Sequence, residues 1–178
     1  MWAKPLIGSG TQDYYIKLKK NICQHFFLLV KSYLSNRQFR TRVKGEVSAL
    51  FPINSGVPQG SVLGPILYIL FISDLPQAPN VTIGTFSDDI VILTCHKNVL
   101  RASSCLQEYL IILQSWLHTL KIKINVSNST YLTFTLRRDP SQTIYLNNVE
   151  IPPVTTIKYL GLHLDNKLNW KEQIKTRK

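Results

Sequence analysis

Thr82-Ile83-Gly84-Thr85-Phe86-Ser87-Asp88-Asp89-Ile90-Val91-Ile92-Leu93 sets two adjacent carboxylates between apolar, β-branched runs. Such flanks favour strands, so the stretch is expected to form a hairpin with Asp88 and Asp89 at a turn in its middle. Neighbouring carboxylates repel one another and suit a buried turn poorly. A hard divalent cation removes that penalty, and Mg2+ commonly binds through one or two carboxylates plus substrate phosphates. Acidic pairs are also common in plain turns, so the pair alone leaves both readings open. Upstream lies a second distinctive block, Gly56-Val57-Pro58-Gln59-Gly60-Ser61-Val62-Leu63-Gly64-Pro65-Ile66-Leu67-Tyr68.

The 178 residues are 44% hydrophobic, enough for one sizeable core or a core with an appendage. Lys and Arg number 21 against 10 Asp and Glu, a formal charge of +11. That excess calls for a polyanionic partner, nucleic acid or an anionic membrane surface. The cations are dispersed over several predicted strands and loops, which suits a lined groove better than a basic tail. Cys23, Cys95 and Cys105 lack zinc-ligand spacing and read as reduced core thiols of an intracellular protein. No apolar run suits a signal peptide, and residues 66–72 fall far short of the ~20 a membrane span requires. The protein is therefore expected to be intracellular and not secreted, with nucleus and cytoplasm both open, and nucleic acid leads as partner.

Residues 1–12 look irregular, and Asp13 is expected to cap a helix over residues 14–20. A core-packing amphipathic helix is expected over residues 24–34. A hairpin with a basic outer row is expected to turn at Gly45-Glu46. Residues 61–74 read as a buried helix that Ser61 can cap, with Pro65 tolerated near its start. Val99, Ala102, Leu106, Tyr109, Leu110, Leu113, Trp116, Leu117 and Leu120 form a core-facing helical stripe. Residues 131–136 alternate like a strand, Asn147-Asn148 reads as a two-residue hairpin turn, and residues 157–164 suggest a further strand. A basic segment that can begin a helix follows. This order argues an α+β layer with helices on one face of an antiparallel sheet.

The block over residues 56–68, Phe86-Ser87-Asp88-Asp89, and Lys158-Tyr159-Leu160-Gly161-Leu162-His163-Leu164-Asp165 together resemble the reverse transcriptase of non-LTR retrotransposons, in particular the jockey-like elements of arthropods. The resemblance runs from about Tyr14 to the last residue. It implies an RNA-directed DNA polymerase of α+β class, a right-hand palm whose antiparallel sheet is backed by helices. Its partners would be an RNA template, a DNA primer and dNTP, with two Mg2+ ions (or Mn2+) as cofactors. In such sites one ion activates the primer 3′-hydroxyl and the other neutralises the triphosphate. Asp88 would be a direct metal ligand, and Asp89 a ligand or a carboxylate supporting it. Gly56, Pro58, Gln59, Gly60 and Phe86 would meet nucleotide or template, the glycines letting backbone approach a base pair. Tyr159, Leu160 and Gly161 would form the primer grip, although a plain core strand reads the same.

The departures from the family pattern shape what is expected of this chain. Leu6-Ile7 fall where the family carries its first metal-binding aspartate, so the first palm strand is expected to be missing, as are fingers and thumb. Residues 13–178 would then be a partial palm. Ser87 replaces a usual alanine, and Asn128 stands near the place of a lysine that would protonate pyrophosphate, which Asn cannot do. The expectation is an incomplete site, inactive in this chain alone. A non-catalytic nucleic-acid-binding remnant and an unstable product with an exposed sheet edge are the alternatives.

Overall fold

The computed structural model describes residues 11–54, 56–58, 60–86, 89–120, 122–136 and 141–176. They fall into two compact units, one formed by residues up to Leu75 with Trp116–Lys123, the other by Pro76–Ser115 with Ile124–Lys178.

In the first unit, α1 (Thr11–Asn21) begins two residues before Asp13. Asp13 therefore lies in the first turn and not at the cap. Thr11 and Gln12, expected to be irregular, are helical, and residues 1–10 lie outside the described set. Helix α2 (Gln24–Leu34) takes the expected bounds and buries Val30 and Leu34, one turn apart. Cys23, just before it, is exposed, as is Cys95, while Cys105 is half-buried. The expected core thiols are thus absent from the core, because two of them sit outside the regular elements that are packed.

Four two-residue strands follow: β1 (Gln38–Phe39), β2 (Arg42–Val43), β3 (Glu46–Val47) and β4 (Phe51–Pro52). β1 pairs with β4 and β2 with β3, both antiparallel. The tip turns at Lys44-Gly45, one residue earlier than expected, with φ of 49° and 96°. A two-residue turn with both φ positive favours Gly in one of its places, which Lys44-Gly45 supplies at the second.

Helix α3 (Leu63–Ile72) buries Gly64, Leu67 and Phe71 along one stripe. The helix expected to be buried is so on this stripe alone, since Ile66 and Ile69 are exposed. Ser61 acts as expected: its hydroxyl accepts the Gly64 N–H at 3.0 Å. Leu18, Val30, Leu34, Leu67, Phe71 and Leu120 make the core of this unit. Into its edge α1 sends Lys17, whose ammonium donates to the Phe71 carbonyl and pairs with Asp74. The same ammonium lies 4.8 Å from the Phe71 ring centre and 5.1 Å from that of Trp116. Trp116 Nε1 donates to Asp74 at 3.1 Å.

The second unit opens on the hairpin of β5 (Val81–Phe86) and β6 (Asp89–Thr94), followed by α4 (Val99–Thr119). Asn98 Oδ1 accepts from Leu100 N–H at 2.8 Å and so starts α4. Tyr109, Leu110 and Leu113 are buried on its expected stripe. Gln107 bonds both main-chain groups of Tyr145, accepting at 2.7 Å and donating at 3.0 Å. Helix α4 thereby completes one edge of the hairpin β7 (Ile144–Leu146) and β8 (Val149–Ile151). That hairpin turns at Asn147-Asn148 as expected, with φ of 52° and 60°.

Residues 131–136 do not form the expected strand, only an isolated bridge from Tyr131 to Pro153. Pro152 and Pro153 have no N–H, so the opposite segment cannot sustain a ladder. Residues 157–164 form a hairpin, not one strand: β9 (Thr156–Tyr159) and β10 (Leu162–Asp165) turn at Leu160-Gly161. Buried Asp165 accepts N–H bonds from Lys167 at 2.9 Å and Asn169 at 3.2 Å. Gln173 on α5 (Lys171–Lys175) accepts the His163 N–H at 2.7 Å and fastens this short helix to the hairpin.

Helices and small antiparallel hairpins make the chain α+β. Among the described residues strands pair only two by two, where a single larger sheet was expected.

Candidate active site

The β5–β6 ladder is the longest in the described chain, six antiparallel pairs from Val81↔Thr94 to Phe86↔Asp89. Its β-branched residues explain the regularity. Thr94 Oγ1 donates to the Ala102 carbonyl at 3.1 Å and moors the end of the hairpin opposite Asp89. Asp89 opens β6 and is half-buried, with the Phe86 side chain opposite it 60% exposed. Asp88 lies outside the described residues, as does Gln59.

Cross-strand partners share one face of a ladder, and so do residues two apart. Gly84, Phe86, Asp89 and Val91 therefore lie on one face of this hairpin. A Cβ added at Gly84 would stand 2.9 Å from Val91 Cγ1 and 4.0 Å from the Tyr159 hydroxyl. The absent side chain leaves room for Tyr159 on the face that carries Asp89. The structure thus places Phe86 and Asp89 opposite one another and the Tyr159 hydroxyl beside Gly84, two pairs along the ladder. Leu160 and Gly161 turn the neighbouring hairpin with φ of 47° and 82°. Leucine is costly there, by roughly 1–2 kcal/mol.

Gly56, Pro58 and Gly60 belong to the first unit. Both glycines take the left-handed region, φ 79° and 77°. Arg37 places this loop: its guanidinium donates to the Gly56 carbonyl and, at 3.1 Å, to that of Leu34. Arg37 and Gly84 escaped sequence reading as site-building residues. A lone glycine inside a β-branched strand was a usable signal for close approach, whereas nothing distinguished Arg37 from the other dispersed cations.

Carboxylate oxygens at the head of a stiff ladder are suitable donors for a hard cation, so Asp89 fits a divalent metal. No group of three or more His, Cys, Asp or Glu side chains converges among the described residues. No helix among them is long and apolar enough to cross a membrane.

Residues 13–164 match the family described as reverse transcriptase (RNA-dependent DNA polymerase). The chain belongs to the reverse transcriptase family. Its similarity extends to the RNA-directed DNA polymerase from mobile element jockey of Drosophila melanogaster, 40% identical over 166 residues. The probable RNA-directed DNA polymerase from transposon X-element of the same species is 34% identical over 165 residues. The jockey polymerase of Drosophila funebris is 36% identical over 168. Each alignment covers 89% of this chain and 18% of the relative, so this reverse transcriptase chain spans under a fifth of those proteins. The resemblance to non-LTR retrotransposon reverse transcriptases is borne out.

Proposed function

We propose that this chain is palm region of an RNA-directed DNA polymerase that binds RNA template, DNA primer and dNTP. The observation that carries the reading is the face of the β5–β6 hairpin that Phe86 and Asp89 share with Gly84, which the Tyr159 hydroxyl approaches at Gly84. Asp88 and Asp89 would hold Mg2+ or Mn2+, which when bound favours ionisation of the primer 3′-hydroxyl and neutralises the triphosphate. The ladder pair Phe86↔Asp89 keeps the Asp89 carboxylate at a fixed point of the hairpin. The exposed Phe86 ring offers a stacking surface to a nucleotide, and the Tyr159 hydroxyl offers a hydrogen bond to the primer strand. Gly56 and Gly60 keep the loop before α3 free of Cβ atoms where a base pair would approach.

A binding role without chemistry is the second reading, favoured by Leu6-Ile7 at the place of the family's first aspartate and by Asn128. Single-nucleotide extension of a labelled DNA primer on an RNA template, with Mg2+ or Mn2+, separates the two. Extension lost on Asp88→Asn or Asp89→Asn establishes chemistry and requires a further carboxylate. No extension, with salt-sensitive template retention that Mg2+ barely changes, establishes the binding role. Failure to retain the template overturns both.

A further inference from the structure

Every residue from 38 to 52 is exposed. This stretch, carrying β1 to β4, leaves the first unit at Arg37 and rejoins it at Ile53, whose N–H donates to the Arg37 carbonyl at 2.8 Å. Between the two short ladders, Ser48 N–H donates to the Thr41 carbonyl and Thr41 N–H to the Ser48 hydroxyl, each at 2.9 Å. The result is a hairpin arm with neither face covered. Two-stranded arms of this kind are marginal in water and are ordered by what they meet.

Its side chains are not those of a solvated hairpin. Phe39 and Phe51 oppose one another across β1–β4, ring centres 5.8 Å apart and planes tilted by 36°. They remain 48% and 50% exposed. Arg40, Arg42 and Lys44 share the arm with a single acid, Glu46. No ion pair joins those three cations to a described residue.

We infer that this arm is a binding site for single-stranded nucleic acid, with Phe39 and Phe51 stacking on bases and Arg40, Arg42 and Lys44 meeting phosphates. Exposed rings beside cations are the combination by which unstructured strands are held. A duplex keeps its bases stacked and offers nothing to the rings. An acidic polypeptide would answer the cations but not the rings, and an apolar one would bury the cations unpaired. The inference rests on the nucleic-acid reading above, but on different residues from those argued there.

Fluorescence anisotropy of a labelled oligouridylate against the full chain tests it. Phe39→Leu with Phe51→Leu keeps the arm apolar and removes the rings, and is expected to weaken binding about tenfold. Arg40→Ala, Arg42→Ala and Lys44→Ala together should reduce the slope of log affinity against log salt by about two. The cations contribute nothing to the core, so the triple variant remains informative even if the leucine variant fails to fold. Single strand should be preferred to duplex by the parent chain. Unchanged affinity and slope in both variants would overturn the inference while leaving the palm reading intact. So would a change in self-association of the leucine variant with RNA affinity unaltered, which would assign the arm to a polypeptide. A parent chain that binds no RNA would remove the palm reading as well.

Discussion

The ammonium of Lys17 lies against the carboxylate of Asp74 with its side chain only 10% exposed, while that of Asp74 is 56% exposed. Burial pulls the Lys17 pKa below its ordinary 10.5, and the hydrogen bond and charge of Asp74 pull the other way without prevailing. The unfolded chain therefore holds more protons than the folded one in the window just below 10.5. Stability contributed by this site rises with pH through that window, and the cost of burying the charge is fully present below the lowered pKa.

Asp74→Asn should consequently destabilise by about 1–3 kcal/mol, less than for a fully buried pair because Asp74 meets water. Lys17→Met should stay within about 1 kcal/mol of the parent, since it removes a buried charge and leaves an Asp74 that meets water and still accepts from Trp116. Urea unfolding at pH 7 checks both, and equal losses in the two variants would contradict the account.

Tyr109 works in the opposite direction at high pH. Its hydroxyl donates to the Pro76 carbonyl at 3.0 Å, and burial pushes its pKa up from 10.0 to about 12. Its contribution is complete below pH 10 and is lost as pH climbs through about 12. Tyr109→Phe should cost about 1 kcal/mol at pH 7 and flatten the alkaline loss of stability followed by circular dichroism. A variant with an unchanged alkaline midpoint would show that another group governs it.

Gly84→Ala should lower the urea midpoint by the equivalent of about 1–3 kcal/mol, because the new methyl overlaps Val91 Cγ1. Val91→Ala in the same chain should recover part of that loss, a coupling that separates crowding from any effect on strand propensity. Additive losses would place the strain elsewhere.

Leu160→Asn should raise stability by about 1 kcal/mol, since Asn tolerates a φ near 47° better than Leu does. The leucine side chain is 49% exposed, so little packing is given up. If the hairpin grips primer, the stabilised variant should retain a template–primer less well than the parent. Higher melting temperature with unaltered retention would separate this turn from primer binding.

Elements were legible where local chemistry and packing agree. The apolar spacing within residues 99–120 and the Asn147-Asn148 pair each dictate one structure, and both formed as read. The alternation of residues 131–136 misled because strand pairing depends on a partner, and here the partner contains two prolines. Helix α1 begins three residues earlier than read, at Thr11, because an aspartate suits either a cap or a first turn. The sequence offered the candidate residue types, but not the approach of one hairpin to the other. Gly84 and Tyr159 are 75 positions apart by their numbers, and the missing side chain of Gly84 leaves room for the Tyr159 hydroxyl.

Arg37 closes the arm at its root by binding two carbonyls, Leu34 and Gly56, while its own carbonyl receives Ile53. Residues 38–52 therefore leave and return at one tied root, ahead of the loop that leads into α3. The arm is a detachable module: its tip at Lys44-Gly45 can accept inserted peptide or a reporter sequence, and its length and composition can diverge between related chains without moving Gly56.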